Sequence, residues 1–343
     1  MKQYFDRRRF ISTATTTAVG IGLLGNISRS FGQSLLQTGG RVGIIGLDTS
    51  HSIAFTKALN APDPSPVLKG YKVVAAYPKG SEDIESSTKR IPGYTEEVKN
   101  LGVEIVNSIE ELLKKVDVIF LETNDGRPHL QQALKVLKAG KRMFIDKPVA
   151  ASLADTVAIY EAAKKYKVEI FSSSSLRYME TVQDVVKGKI GKVMGADTFS
   201  PATLEKTHPD LFWYGIHGVE MLFTVMGTGC KQVTRISTVE TDIVVGEWND
   251  GRMGTFRGTR SGKHDYGGTA YGEKGNLTLG PFKGYDSLLE EIIEFFRTGK
   301  LPVKPEETLE IYAFMEAADQ SKRNGGIAVS IKAVMQEAYK KNK

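Results

Sequence analysis

The sequence predicts an α/β protein in two parts, a doubly wound parallel sheet followed by an α+β domain with a large, mostly antiparallel sheet. Between residues 41 and 172, short apolar runs alternate with helical segments. This alternation is typical of a parallel sheet with helices on both faces. After residue 190 the pattern changes to segments of alternating polarity, which favour antiparallel strands with one buried face.

The first part contains six predicted strands and four predicted helices. Ser108 and Glu111 have the spacing of a capping box at the start of one helix, and Pro128 and Gly140 bracket another. The predicted strands are 42–46, 71–77, 103–106, 116–122, 142–146 and 168–172, and the predicted helices are 53–59, 109–115, 128–139 and 153–166.

The second part is predicted to combine five strands with four helices. Asn249-Asp250-Gly251 is a strong hairpin-turn sequence between two of the strands. The predicted strands are 192–199, 232–241, 242–248, 252–258 and 276–279, and the predicted helices are 215–226, 287–298, 305–322 and 331–340. We therefore assign residues 41–148 to the doubly wound domain and residues 149–340 to the α+β domain.

The N-terminus has the features of an export signal. Three consecutive arginines, Arg7, Arg8 and Arg9, precede a weakly apolar run at residues 11–25, and small residues follow it. Paired arginines before such a run are typical of the twin-arginine route. The run is too short and too polar for a stable membrane span. We expect residues 1–32 to be the signal, residues 33–40 to be a linker, and the protein to be periplasmic.

The composition argues against a nucleic-acid partner, an intrachain disulfide and a metal site. The predicted signal holds five of the 46 Lys and Arg and one of the 40 Asp and Glu, so without it the net charge falls from +6 to +2. No basic stripe interleaved with aromatic residues remains, which argues against a nucleic-acid partner. Cys230 is the only cysteine, so no disulfide forms within the chain. His and acidic residues do not reach metal-ligand spacing along the sequence, and no metal is expected.

Two motifs carry a family resemblance. Asp146-Lys147-Pro148 follows a predicted strand, and His217 lies in a predicted helix that begins Gly215-Ile216. In this order the motifs resemble the Gfo/Idh/MocA oxidoreductases, which usually have Glu at the position of Asp146. The resemblance covers nearly all of residues 41–340. Further matches are Thr123-Asn124, His129, Ala139-Gly140-Lys141 and Arg177.

The resemblance implies a Rossmann-type nucleotide-binding fold and an NAD or NADP cofactor. It implies a sugar or glycoside substrate, with Lys147 and His217 as catalytic residues that exchange the proton during hydride transfer. It also implies a homo-oligomer formed through the sheet of the second domain. The cofactor-binding residues implied are Gly46, Leu47, Asp48, Thr49, Ser50, His51, Thr123, Asn124, His129, Asp146, Lys147, Pro148 and Arg177. The substrate-binding residues implied are Lys147, Tyr178, His208, Trp213, Tyr214 and His217.

The loop after the first strand departs from the dinucleotide pattern. Residues 46–51 read Gly-Leu-Asp-Thr-Ser-His, so only the first glycine of G-x-G-x-x-G is kept. Asp48 falls on the second glycine position, where a carboxylate would face the phosphates. Alternatively, the loop is about three residues shorter than usual, and His51 matches a histidine of the following helix in the family. We expect the Asp48 carboxylate to cap that helix.

The end of the second strand also departs from the dinucleotide-binding pattern, because no acidic residue is present there to accept hydrogen bonds from the ribose hydroxyls. Lys79 and Ser81 could bind a 2′-phosphate, which would favour NADP. The alternative is that no adenosine binds at this place. The alternative function is therefore a family member that has lost dinucleotide binding and serves as a carbohydrate-binding or scaffold protein. A third possibility is a bound cofactor that oxidises a glycoside transiently during its cleavage.

Replacing Arg7, Arg8 and Arg9 with Lys is expected to leave the protein in the cytoplasm, because the twin-arginine route requires the arginine pair. Cell fractionation of the wild type and the triple variant measures this. Finding the variant outside, or the wild type inside, would contradict the export prediction.

Overall fold

A computed structural model describes residues 39–342 of the chain. The predicted export signal and residues 33–38 of the linker lie outside the described residues. Within residues 39–342, no helix combines the length and the apolar character needed to cross a membrane.

The first sheet confirms the predicted doubly wound fold. Its six strands are all parallel and run in the order β3-β2-β1-β4-β5-β6. The strand order reverses between β1 and β4, and the crevice at such a switch point is where ligands bind in open α/β sheets. The strands are β1 (Gly40–Ile45), β2 (Tyr71–Tyr77), β3 (Glu104–Ile105), β4 (Val118–Leu121), β5 (Met143–Ile145) and β6 (Ile170–Phe171).

Helices cover both faces of this sheet, and one of them comes from the far end of the chain. Helices α3, α4 and α5 share one core with the sheet, while α1, α2 and α9 share the other. Phe295 and Phe296 of α9 contact Phe171 and Phe120 of the sheet. The parallel sheet also continues past residue 148, where the sequence places the boundary, because β6 pairs with β5. The helices are α1 (Ser50–Leu59), α2 (Glu85–Asn100), α3 (Ile109–Lys115), α4 (His129–Lys138), α5 (Leu153–Tyr166) and α9 (Asp286–Thr298).

The second sheet confirms the predicted α+β domain. Its order is β12-β11-β7-β10-β9-β8-β13, and every pair is antiparallel except β7 with β10. Helices α8, α10 and α11 pack on one face. The strands are β7 (Val193–Pro201), β8 (Cys230–Ser237), β9 (Thr241–Trp248), β10 (Met253–Thr259), β11 (Gly267–Gly272), β12 (Gly275–Leu279) and β13 (Val329–Ser330). The helices are α6 (Glu180–Val186), α7 (Asp210–Trp213), α8 (Ile216–Met226), α10 (Pro305–Arg323) and α11 (Ile331–Lys341).

The sequence does not predict α2 or β11. Helix α2 contains Pro92 and buries only Ser87 and Val98, so it lacks the apolar stripe that identifies a helix. Strand β11 reads Gly-Gly-Thr-Ala-Tyr-Gly, and its glycines have low strand propensity. Both elements form because neighbouring elements provide the packing.

A buried ionic cluster connects the helices of the second domain to its sheet. The guanidinium of Arg235 on β8 is fully buried and donates to Asp242 at 3.0 Å and to Asp210 at 2.9 Å. It also pairs with Asp319 of α10. Asp210 begins α7, so this cluster fixes the segment that leads to Trp213 and Tyr214.

Arg235→Met is expected to lower the free energy of unfolding by about 3 kcal/mol or more, because Asp319 then remains buried without a cation. Lys231→Met is the matched control on the same strand. Lys231 forms an exposed pair with Glu247, so its loss should cost less than about 1 kcal/mol. Urea unfolding measures both values, and equal losses would contradict a structural role for the cluster.

Candidate functional site

A cleft of about 360 Å³ opens at the carboxyl ends of β1, β4 and β5, beside the switch point. One wall comes from the parallel sheet and its loops, and the other comes from α8 and loops of the second domain. Nine of the residues predicted for the site line this cleft: Thr49, Ser50, His51, Asn124, Asp146, Lys147, Trp213, Tyr214 and His217.

The loop after β1 packs directly against the loop after β4. Gly46 has φ +90°, and a Cβ at this position would lie 2.5 Å from the backbone nitrogen of Thr123, so only glycine fits. Thr49 is the N-cap of α1 and accepts a hydrogen bond from the Ser52 N–H at 3.4 Å. The prediction that Asp48 caps this helix is therefore wrong.

Asp48 instead bridges two loops. Its side chain is fully buried and accepts hydrogen bonds from the Ser81 N–H at 3.2 Å and the Asn124 N–H at 2.9 Å. The loop after β2 lies so close that a Cβ on Gly80 would be 2.0 Å from the carboxylate. Ser81 also donates its hydroxyl to Asp83 at 2.9 Å, so Ser81 is not free to bind a 2′-phosphate in this conformation.

Three buried side chains meet at the floor of the cleft. His51 Nδ1 lies 3.1 Å from Asp146 Oδ1 and 4.0 Å from Glu122 Oε2, and Thr49 donates to the same Glu122 oxygen at 3.0 Å. One oxygen of Glu122 and one of Asp146 have no hydrogen-bond partner among the described residues. The ligand atoms of His51, Glu122 and Asp146 lie within 4.8 Å of one another, a spacing that could hold a metal ion. Sequence spacing could not reveal this group because its members are far apart in the chain.

The two carboxyl groups of this floor differ in charge. Burial, together with the neighbouring charge of Asp146, raises the pKa of Glu122 well above its ordinary value, so Glu122 keeps its proton. Burial opposes ionisation of Asp146 too, but the charges of His51 and Lys147 outweigh it and lower the pKa of Asp146 to about 2. Asp146 is therefore the ionised carboxylate of the floor, and its charge interacts with those of His51 and Lys147.

Lys147 and His217 project into the cleft from the two domains. Lys147 follows β5, its peptide bond to Pro148 is cis, and its Nζ lies 5.8 Å from the centre of the Tyr214 ring. Burial, and then the positive charge of Lys147, holds the pKa of His217 well below the ordinary histidine value. The site thus combines a primary amine with an uncharged imidazole.

A chain of hydrogen bonds positions His217. Ser174 Oγ lies 2.7 Å from His217 Nδ1 and accepts the Leu176 N–H at 3.2 Å. Among the described residues, His217 Nδ1 is the acceptor in reach of the Ser174 hydroxyl proton, and that hydrogen bond favours the tautomer protonated on Nε2. Glu220 accepts the Ser174 N–H at 2.8 Å and the Arg177 Nε–H at 2.9 Å. Glu220 therefore acts on His217 through Ser174.

Several predicted residues support the cleft without lining it. Arg177 is buried between Glu220 of α8 and Glu307 of α10, 2.9 and 2.6 Å away, so it links two helices of the second domain and does not line the cleft. His208 is buried and accepts the Gly126 N–H at 3.0 Å, which joins the two domains. The ring nitrogens of His129 lie 2.7 Å from the carbonyl oxygen of Thr123 and 3.1 Å from that of Val149. The other predicted residues outside the lining are Gly46, Leu47, Asp48, Thr123, Pro148 and Tyr178.

The structure also adds residues to the site. Tyr266 from the loop before β11 and Tyr285 from the start of α9 complete an aromatic wall. Tyr285 lies edge-on to His51 with ring centres 4.4 Å apart, and Tyr266 lies edge-on to His217 at 5.9 Å. Their distance along the chain gave no sequence signal. Glu122 was also missed, although its place at the end of a buried strand marks it as a polar residue at the switch point.

The His217 ring is expected to remain uncharged from about pH 5 to pH 8, the range over which an ordinary histidine gains its charge. Burial and Lys147 both disfavour its protonation. Long-range ¹H–¹⁵N NMR of the histidine rings measures the protonation state, and His217→Asn assigns the signal. An imidazolium spectrum near pH 6 would contradict this picture of the site.

The comparisons with known proteins agree with this geometry. Residues 40–173 match the Gfo/Idh/MocA family model, described as an oxidoreductase family with an NAD-binding Rossmann fold. An uncharacterized oxidoreductase of Streptococcus pneumoniae serotype 4 is 24% identical over 147 residues, which cover 41% of this chain and 40% of that protein. The 1,5-anhydro-D-fructose reductase of Ensifer adhaerens is 30% identical over 100 residues, 27% of this chain and 30% of that protein. The matches thus span less than half the length of these curated relatives.

Solved structures extend the likeness to both domains. The scyllo-inositol dehydrogenase of Lactobacillus casei, crystallised with NAD(H) and scyllo-inositol, superposes with a TM-score of 0.68 at 18% identity. The superposition covers 85% of this chain and 99% of that one, and at this identity it establishes the fold. Residues 40–173 of this chain are thus similar in sequence to the Gfo/Idh/MocA oxidoreductases, a family with an NAD-binding Rossmann fold.

Proposed function

We propose that this protein is an NAD- or NADP-dependent oxidoreductase that transfers a hydride between the nicotinamide cofactor and a hydroxyl or keto group of a sugar, glycoside or polyol. The observation that carries the proposal is the placement of Lys147 and His217. They come from different domains and face one cleft at the switch point of an NAD-binding fold. The ionised carboxylate of Asp146 in the floor of the cleft attracts the Lys147 ammonium electrostatically.

The residues of the cleft fit the nicotinamide half of such a cofactor. Thr49 and Ser50 are at the start of α1, where unpaired N–H groups and the helix dipole favour a phosphate. Asn124, Asp146 and Lys147 line the same wall and would hold the ribose and the amide. When bound, the nicotinamide ring supplies or accepts the hydride.

Lys147 and His217 would manage the proton that accompanies the hydride. In reduction, the Lys147 ammonium donates its proton to the keto oxygen, while His217 Nε2–H donates a hydrogen bond to that oxygen. Oxidation reverses this step, and the neutral amine accepts the hydroxyl proton. Asp146 remains ionised in both directions, so its negative charge stays near the reactive amine throughout.

The substrate wall suits a ring with many hydroxyl groups. Trp213, Tyr214 and Tyr266 provide aromatic faces beside the polar groups of Lys147 and His217. Apolar faces beside hydrogen-bonding groups match the C–H face and the hydroxyl edge of a sugar or inositol. The relatives named as 1,5-anhydro-D-fructose reductase and scyllo-inositol dehydrogenase support this substrate class. The family match favours an oxidoreductase over the carbohydrate-binding or scaffold protein left open by the sequence.

We further propose that the protein is exported and forms a homo-oligomer. The arginine cluster supports export by the twin-arginine route to the periplasm. That route carries folded proteins, so a cofactor bound in the cytoplasm would travel with the enzyme. The open face of the second sheet exposes Met194, Phe199, Met253 and Tyr271, which supports assembly of a homo-oligomer through this face.

Lys147→Met is expected to reduce turnover by roughly 10²–10⁴-fold, the usual contribution of a positioned acid–base group. Cofactor content and melting temperature should change little. Lys147→Arg should not restore turnover, because a guanidinium does not release its proton at working pH. Single-turnover hydride transfer with inositols and hexoses, followed by nicotinamide absorbance, measures the effect.

Lys138→Met, on the exposed surface of α4, is the matched control and should turn over like the wild type. His217→Ala should reduce turnover by a factor comparable to that of Lys147→Met. In the double variant, turnover should fall by a factor much smaller than the product of the two single-variant factors, since the residues act as a unit. Undiminished hydride transfer in a folded Lys147→Met protein would overturn the assignment.

A further inference from the structure

The groove expected to receive the ADP half of the cofactor is filled by the protein itself. In dinucleotide folds this half lies across the carboxyl ends of the first two strands, where glycines allow the diphosphate to approach the backbone. Here the fully buried carboxylate of Asp48 occupies the space between the loops after β2 and β4. The N–H groups of Ser81 and Asn124 donate to this carboxylate and are therefore not available to a bound ligand.

A second contact closes the same two loops. Arg127, after β4, donates to Asp83, after β2, at 3.0 Å, and to Asp125 of its own loop at 2.6 Å. We call Asp83, Arg127 and Asp125 the clasp. The hydrogen bonds from Arg127 lower the pKa of Asp83 to about 2, so the clasp stays charged at neutral pH.

The charge of this region opposes a diphosphate. These loops carry the carboxylates of Asp48, Asp83 and Asp125 against two guanidinium groups. Arg127 pairs with Asp83 and Asp125, and Arg90 donates to the backbone carbonyl of Asp48 at 3.3 Å. A diphosphate placed here with the loops closed would meet an excess of carboxylates. It would also overlap the Asp48 side chain, which lies against the Gly80 backbone. Binding of the whole dinucleotide therefore requires the loops after β2 and β4 to separate.

We propose that the clasp is a gate for the cofactor, and that the ADP half enters and leaves only when the contact between Asp83 and Arg127 opens. This inference rests on the proposed function, since it concerns the cofactor of that site. A closed gate slows both entry and release. An enzyme that retains one cofactor through many substrate molecules requires slow release of this kind.

The test measures how fast NADH and NADPH enter and leave the purified full chain, followed by nucleotide fluorescence after rapid mixing. Asp83→Asn removes the charge of the contact between the loops and keeps the turn formed by Asp125 and Arg127, and Arg127→Gln removes the guanidinium from both contacts. Both variants should exchange the nucleotide about two- to fivefold faster than the wild type, the change expected for loss of an exposed ion pair that must open first. Added salt should speed exchange in the wild type but have little effect in Asp83→Asn, since salt screens the exposed ion pair.

Arg252→Gln is the matched control. Asp250-Gly251-Arg252 repeats the Asp-Gly-Arg sequence of residues 125–127, and Arg252 donates to Asp250 at 2.7 Å in the second domain. This variant should exchange the nucleotide at the wild-type rate. Melting curves confirm that each variant is folded.

The outcomes separate the gate from the proposed function. Equal exchange rates in the wild type and in both clasp variants would overturn the gate, as would the absence of nucleotide binding in all of them. Rapid nucleotide entry into the clasp variants, without hydride transfer to any inositol or hexose, would support the gate and overturn the proposed function.

Discussion

Three buried carboxyl groups at the carboxyl ends of the parallel strands impose the constraint on which the rest of the site depends. Asp48 and Glu122 are fully buried, and Asp146 is 1% exposed. A buried charge without a partner is too costly to persist, so each group must be protonated, paired or hydrogen-bonded. Asp48 accepts from the N–H groups of two loops, the raised pKa of Glu122 favours its protonated form, and Asp146 contacts the His51 ring and the backbone N–H of Lys147.

These requirements determine the shape of the cleft wall. Because Asp48 draws the loops after β2 and β4 together, the ADP end of the groove is narrow, while the nicotinamide end remains open. The negative charge of Asp146 lies at that open end, where it attracts the Lys147 ammonium. A buried carboxyl group therefore limits access at one end of the groove and provides the charge near the reactive amine at the other.

The second domain supplies the opposite wall and its rigidity. His217 is held through Ser174 by Glu220, which is in turn neutralised by Arg177. Arg177 has the position expected of a cofactor residue in the sequence, and in the structure its guanidinium pairs with Glu220 and Glu307. Burial of the Glu220 carboxylate requires such a nearby cation.

The sequence by itself determined most of the helices and strands and the two catalytic candidates. Strand β2 and helices α3 and α5 were predicted with the bounds that the structure shows, since apolar periodicity and capping residues are local signals. Lys147 and His217 were found because each lies in a short motif. Glu122, Tyr266 and Tyr285 were not, because they join the site only through the packing of distant segments. Only the tertiary structure decided the role of Asp48, whose carboxylate could cap its own helix or bridge two loops. The Ser81 and Asn124 N–H groups that favour the bridge are brought together by the order of the strands, which no local pattern specifies.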